Sequence, residues 1–129
     1  MSEFKILVVE DNPVVRMLTQ KQLSILGYTS EAVGTGEEAV GKNSDDIALI
    51  LMDIGLPGID GARATHLIRE RELKEQRKRV PIVALTAHAD KQGCLLAGMD
   101  DFLEKPARLG DIQRMLATWL PNGCSASRP

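Results

Sequence analysis

Short apolar blocks alternate with amphipathic stretches from one end of this chain to the other. The block at 4–9 (FKILVV) predicts a strand, and 13–26 carries the spacing of a helix. Asn12 is a candidate N-cap for that helix, Pro13 suits its first position and Gly27 supplies a stop. Residues 28–33 predict a weaker strand and 37–42 a short helix. The block 47–52 (IALILM) is apolar at successive positions, so both faces of that strand are expected to be buried, as at the centre of a parallel sheet. A long charged helix over 62–78, a strand over 81–85, a helix over 90–97 closed by Gly98 and a short strand over 101–103 follow. An amphipathic helix over 108–120 carries Leu109, Ile112, Met115, Leu116 and Trp119. Residues 1–121 are read as one domain and 122–129 as a polar tail that frays.

Strand then helix, five times over, predicts an α/β fold: a single (βα)5 doubly wound parallel sheet with helices on both faces. In the flavodoxin-like strand order 2-1-3-4-5, strands one and three are neighbours and the connections reverse direction between them. Ligands bind at that reversal, outside the carboxyl ends of the strands.

Composition narrows the function classes. At 129 residues and 43% hydrophobic, the chain is long enough to bury a core of its own. A net charge of −2 and a single Trp give no support to nucleic-acid binding. Cys94 and Cys124 are far apart in sequence and form no CxxC pair, which fits reduced thiols in a cytoplasmic protein. No apolar run approaches the roughly 20 residues of a membrane helix, and the opening MSEFKILVVE lacks the apolar core of a signal peptide.

The chemistry gathers at the strand ends. Strand one runs out at Glu10 and Asp11, strand three at Asp53, strand four at Thr86, and strand five is followed by Lys105-Pro106. Parallel strands bring these residues to one edge. Three carboxylates there repel one another, and one lysine leaves about two negative charges uncompensated. A divalent cation closes that gap, and carboxylate oxygens suit Mg²⁺. Each residue taken singly has a plainer reading: a solvated acid, a helix cap, a surface lysine. Five compatible residues at the correct ends of four strands do not.

With those residues in place, the chain resembles a receiver domain of two-component response regulators and hybrid histidine kinases. The motifs are ILVVEDNP, LILMDIGLPGIDG, PIVALTAHA and GMDDFLEKP, spread from Lys5 to Leu120. The resemblance implies that Asp53 is the phosphoacceptor for a phosphohistidine donor. It implies that Glu10, Asp11 and Asp53 hold Mg²⁺ (Mn²⁺ substituting) together with the backbone carbonyl of Gly55. Thr86 and Lys105 would contact phosphoryl oxygens, Ala87 would leave room for the group, and Lys105-Pro106 would be a cis peptide. Pro57 and Gly61 would shape the loop after Asp53. Thr86 and Phe102 would form the switch, with Phe where Tyr is also frequent. Val15 stands where hybrid-kinase receivers often have Asn. Gly55 and His88 fall at two variable positions that affect how the phosphoryl group is shielded from water.

The expected activity is phosphoryl acceptance by the chain itself, with its own dephosphorylation, any kinase activity lying in a separate domain. The expected partner is a sensor histidine kinase or a histidine phosphotransfer protein, docking at Pro13, Val14 and Val15. A homodimer is expected through the face made by the 90–97 helix, the 101–103 strand and the last helix. The stretch after Pro106 has no room for a helix-turn-helix effector, so output is expected through protein contacts without nucleic acid. Three rival readings remain. An aspartate-nucleophile phosphatase would carry DxD after its first strand, whereas here the nucleophile candidate follows strand three and Gly55 stands two residues later. A degenerate receiver acting as a binding module would have lost key positions, and none is lost. A flavodoxin-like FMN carrier would want a Ser/Thr/Gly-rich loop where Glu10 and Asp11 stand.

Overall fold

The computed structural model describes residues 4–42, 46–54, 58, 60–86 and 98–120. Its five strands are β1 (Lys5–Val9), β2 (Ser30–Val33), β3 (Ile47–Asp53), β4 (Ile82–Thr86) and β5 (Asp101–Glu104). The helices among the described residues are α1 (Pro13–Ile25), α2 (Gly36–Lys42), α3 (Gly61–Lys74) and α4 (Leu109–Trp119). The strands pair in parallel, as the alternation of apolar blocks predicts, and in the expected flavodoxin-like order β2-β1-β3-β4-β5.

Side chains alternate across the sheet and build two cores. Leu7, Val9, Ile50, Met52, Ile82 and Ala84 pack on one face with Ala39 of α2 and Ala64 and Ile68 of α3. Ile6, Val8, Leu49, Leu51, Val83 and Leu85 pack on the other with Leu23 of α1 and Ile112, Met115 and Leu116 of α4. Because β3 feeds both cores, IALILM carries no polar face. Thr19 of α1 and Thr65 and Glu72 of α3 are buried along with the apolar residues, and the burial of apolar area holds both layers to the sheet.

Element ends follow local chemistry. The Asn12 side chain accepts from the Val14 and Val15 N–H groups at the start of α1, and Gly27 takes φ 91° beyond its end. The expected helix over 62–78 stops at Lys74. Glu72, buried against the sheet, accepts the Val80 N–H at 2.7 Å and draws the chain back toward β4. Gln76 then adopts φ 54° and Arg77 N–H closes onto Glu72 O at 2.9 Å. Leu109, expected on the apolar face of the last helix, is 38% exposed at its first position. The helix predicted over 90–97, both cysteines, and the 122–129 tail lie outside the described residues.

Candidate functional site

Sheet register sets the site. Val9 of β1 pairs with Met52 of β3, so the next residues along, Glu10 and Asp53, stand level at the carboxyl edge. Asp53 pairs with Leu85 of β4, one step before Thr86. Thr86 pairs with Glu104 of β5, one step before Lys105. The Lys105 N–H donates to Thr86 O at 2.7 Å, and the Lys105–Pro106 peptide is cis. The sequence therefore delivers the acids, the hydroxyl and the ammonium by chain direction and pairing alone.

Glu10 is 1% exposed and Asp53 5%, whereas Asp11 faces solvent. One oxygen from each of the three can be chosen so that all lie within 4.8 Å of one another. Lys105 Nζ sits between the buried pair, 2.8 Å from Glu10 Oε1 and 3.1 Å from Asp53 Oδ1. Glu10 Oε2 accepts the Asn12 N–H at 3.2 Å. Glu10 Oε1 meets the Lys105 ammonium as an ion pair but accepts no well-directed hydrogen bond.

Burial pushes the Glu10 carboxyl above its ordinary titration range. The Lys105 ammonium and the Asn12 N–H oppose the rise, and the Asp53 charge adds to it. Burial works against the Lys105 charge, but Glu10 and Asp53 outweigh it, and Lys105 titrates above the ordinary lysine value. Against three acids stand the Lys105 ammonium and the Arg16 guanidinium, so the cluster carries surplus negative charge. A hard cation with oxygen ligands fits: three carboxylates, one with a poorly satisfied buried oxygen and one open to water.

The start of α3 packs closely on the backbone at Asp53. A Cβ on Gly61 would lie 2.5 Å from Asp53 O, so only glycine lets the helix start this near. Asp60 caps that helix by accepting the Arg63 N–H at 2.8 Å, a cap the sequence reading missed.

The other predicted residues divide. Phe102 is half-buried against the core that holds Ala84. Pro106 and Pro13 are exposed, and Val15 is half-buried. Val14 is 67% exposed and Met17 66%, and with Leu18 they form one apolar stripe on α1. Gly55, Pro57, Ala87 and His88 lie outside the described residues. Arg16, unmarked in the sequence reading, donates from Nη1 to Glu10 O at 2.9 Å. No described helix is long and apolar enough to cross a membrane.

The model of the response regulator receiver domain family matches residues 6–117. Sensor protein GacS of Pseudomonas syringae pv. syringae is 39% identical over 119 residues, which span 89% of this chain and 13% of that protein. The receiver domain of sensor histidine kinase PA1611 from Pseudomonas aeruginosa PAO1 was solved with a magnesium ion coordinated in its active-site cleft. It superposes with a TM-score of 0.79 at 40% identity, covering 93% of this chain and 99% of that one. The Ssk1 receiver domain of Saccharomyces cerevisiae was solved in complex with the histidine phosphotransfer protein Ypd1. It superposes with a TM-score of 0.86 at 28% identity, covering 97% and 94% of the two chains.

Proposed function

The chain belongs to the response regulator receiver domain family, a receiver of phosphorelay signalling, and we propose that Asp53 is its phosphoacceptor, with Glu10 and Asp11 completing a Mg²⁺ site. The observation that carries this reading is the meeting of Glu10, Asp11, Asp53 and Lys105 at one sheet edge. A bound Mg²⁺ supplies charge neutralisation and orients phosphoryl oxygens, and Mn²⁺ offers the same oxygen-ligand chemistry.

A carboxylate oxygen of Asp53 attacks the phosphorus of a phosphohistidine. The new O–P bond forms as the P–N bond breaks, and the electron pair leaves on the imidazole nitrogen, which takes a proton from solvent. Lys105, 3.1 Å from Asp53 Oδ1, is within reach of an oxygen of the transferred group. The Thr86 hydroxyl, at the end of β4, takes another. The product is an acyl phosphate whose hydrolysis the same site promotes.

Thr86 and Phe102 form the switch. The phosphoryl group gives Thr86 a contact that exists in one state alone, which is what a population shift requires. Phe102, already against the core beside Ala84, turns further inward. The altered face of β5 and α4 then serves partners, including a second copy of the chain.

The donor is a histidine kinase or a histidine phosphotransfer protein of the kind solved with the Ssk1 receiver. Its docking area is Pro13, Val14 and Val15, extended by the exposed stripe of Met17 and Leu18 beside the acids. The chain works in the cytoplasm, without nucleic acid. Incubation with a phosphohistidine protein and Mg²⁺ tests the reading: label that is hydroxylamine-labile and absent with EDTA supports it, and EDTA-insensitive label overturns it.

A further inference from the structure

The chain turns from β1 into α1 across Glu10, Asp11 and Asn12, and the turn must hold two adjacent carboxylates that repel each other. Three hydrogen bonds fix Glu10 there. Its N–H donates to Val33 O at 3.0 Å, its Oε2 accepts from Asn12 N–H at 3.2 Å, and its carbonyl accepts from Arg16 Nη1 at 2.9 Å. The third is charge-assisted and therefore stronger than a neutral bond of the same length. It acts on the peptide that joins Glu10 to Asp11.

Arg16 is itself fixed. Its N–H donates to Asn12 O at 2.9 Å, so the residue is anchored to the turn through the first turn of α1 as well as through its guanidinium. The loop after β2 makes room for it: a Cβ on Gly34 would lie 2.9 Å from Arg16 Nη1. The carboxyl end of β1, the base of α1 and the β2 exit therefore meet at one half-buried guanidinium.

We propose that Arg16 is a positioning residue for the metal site. By holding the Glu10 carbonyl it fixes the orientation of the Glu10–Asp11 peptide, and through it the directions of both carboxylates. Gly34 keeps the guanidinium in place. The proposal rests on the metal reading of the acid cluster.

Mg²⁺ titration calorimetry and thermal unfolding in EDTA test it on five proteins: wild type, Arg16→Gln, Arg16→Lys, Gly34→Ala and the Arg16→Gln/Gly34→Ala double variant. Arg16→Gln should bind Mg²⁺ about tenfold more weakly, the lower end for the loss of an outer-shell partner. Arg16→Lys should recover part of the affinity, because a single ammonium can reach the carbonyl without the guanidinium's fixed geometry. Gly34→Ala keeps every charge and displaces only the far end of Arg16; it should weaken Mg²⁺ binding too, and the double variant with Arg16→Gln should be no weaker than Arg16→Gln alone. A mere staple would lower the unfolding temperature and leave the Mg²⁺ affinity where it was. Wild-type affinity in Arg16→Gln overturns the role of Arg16; should that variant not fold, wild-type affinity in Gly34→Ala overturns it. A wild type that takes up no Mg²⁺ overturns the metal reading and this proposal with it.

Discussion

Lys105 Nζ lies 3.1 Å from Asp53 Oδ1, reaching it from the loop that follows the outermost strand of the sheet. This contact joins the edge of the fold to its centre, because β5 and β3 are separated by β4. The ammonium is a cation that Glu10 and Asp53 share.

Lys105→Met should therefore destabilise the metal-free fold. Removing one partner of a buried pair leaves the others uncompensated, and partial solvent access to Lys105 reduces the loss to about 2 kcal/mol. Urea unfolding in EDTA measures it. Mg²⁺ should then restore more stability to the variant than it adds to wild type, because binding to the folded state alone stabilises it. An unchanged midpoint in EDTA would show that the ion pair contributes nothing.

Asp11→Asn should move stability and metal binding in opposite directions. Without metal, one of three mutually repelling carboxylates disappears, and the fold gains up to about 1 kcal/mol. With metal, a ligand is lost and Mg²⁺ affinity falls. Equal affinity in both proteins by titration calorimetry would remove Asp11 from the site.

The residues of this site were legible in the sequence because chain direction does the placing. Once apolar blocks alternate with helices, parallel strands send Glu10, Asp11, Asp53, Thr86 and Lys105 to one edge. What escaped the sequence were contacts to the backbone. The partner of Arg16 is a carbonyl, which no residue pattern marks. The early end of α3 depends on Glu72 accepting a main-chain N–H eight residues later, while the run RKR at 77–79 reads locally as more helix.

Gln76→Gly should stabilise the protein. Gln76 holds φ 54° just past α3, a region where a side chain costs about 1 kcal/mol and glycine does not. The greater freedom of glycine in the unfolded chain offsets part of the gain, leaving about 0.5 kcal/mol. Chemical denaturation checks this, and a lower midpoint would mean that the Gln76 side chain holds the turn by a contact of its own.

Val14→Glu should separate the two routes of phosphorylation. Val14 is 67% exposed beside the acids, so a charge there costs the fold little but disturbs a docking helix. Transfer from a phosphohistidine protein should slow, while labelling by acetyl phosphate, which needs no docking, should not. Equal slowing of both would place the effect in the reaction site, and no slowing of either would place the partner elsewhere.

The phosphoacceptor itself is tested most directly by intact-mass spectrometry after incubation with acetyl phosphate and Mg²⁺, comparing the wild-type chain with Asp53→Asn. The substitution keeps the shape of a side chain at the end of β3 and removes the nucleophile. Wild type should gain the mass of one phosphoryl group, and Asp53→Asn should gain none. An undiminished gain in Asp53→Asn, or no gain in wild type, would contradict the assignment of Asp53.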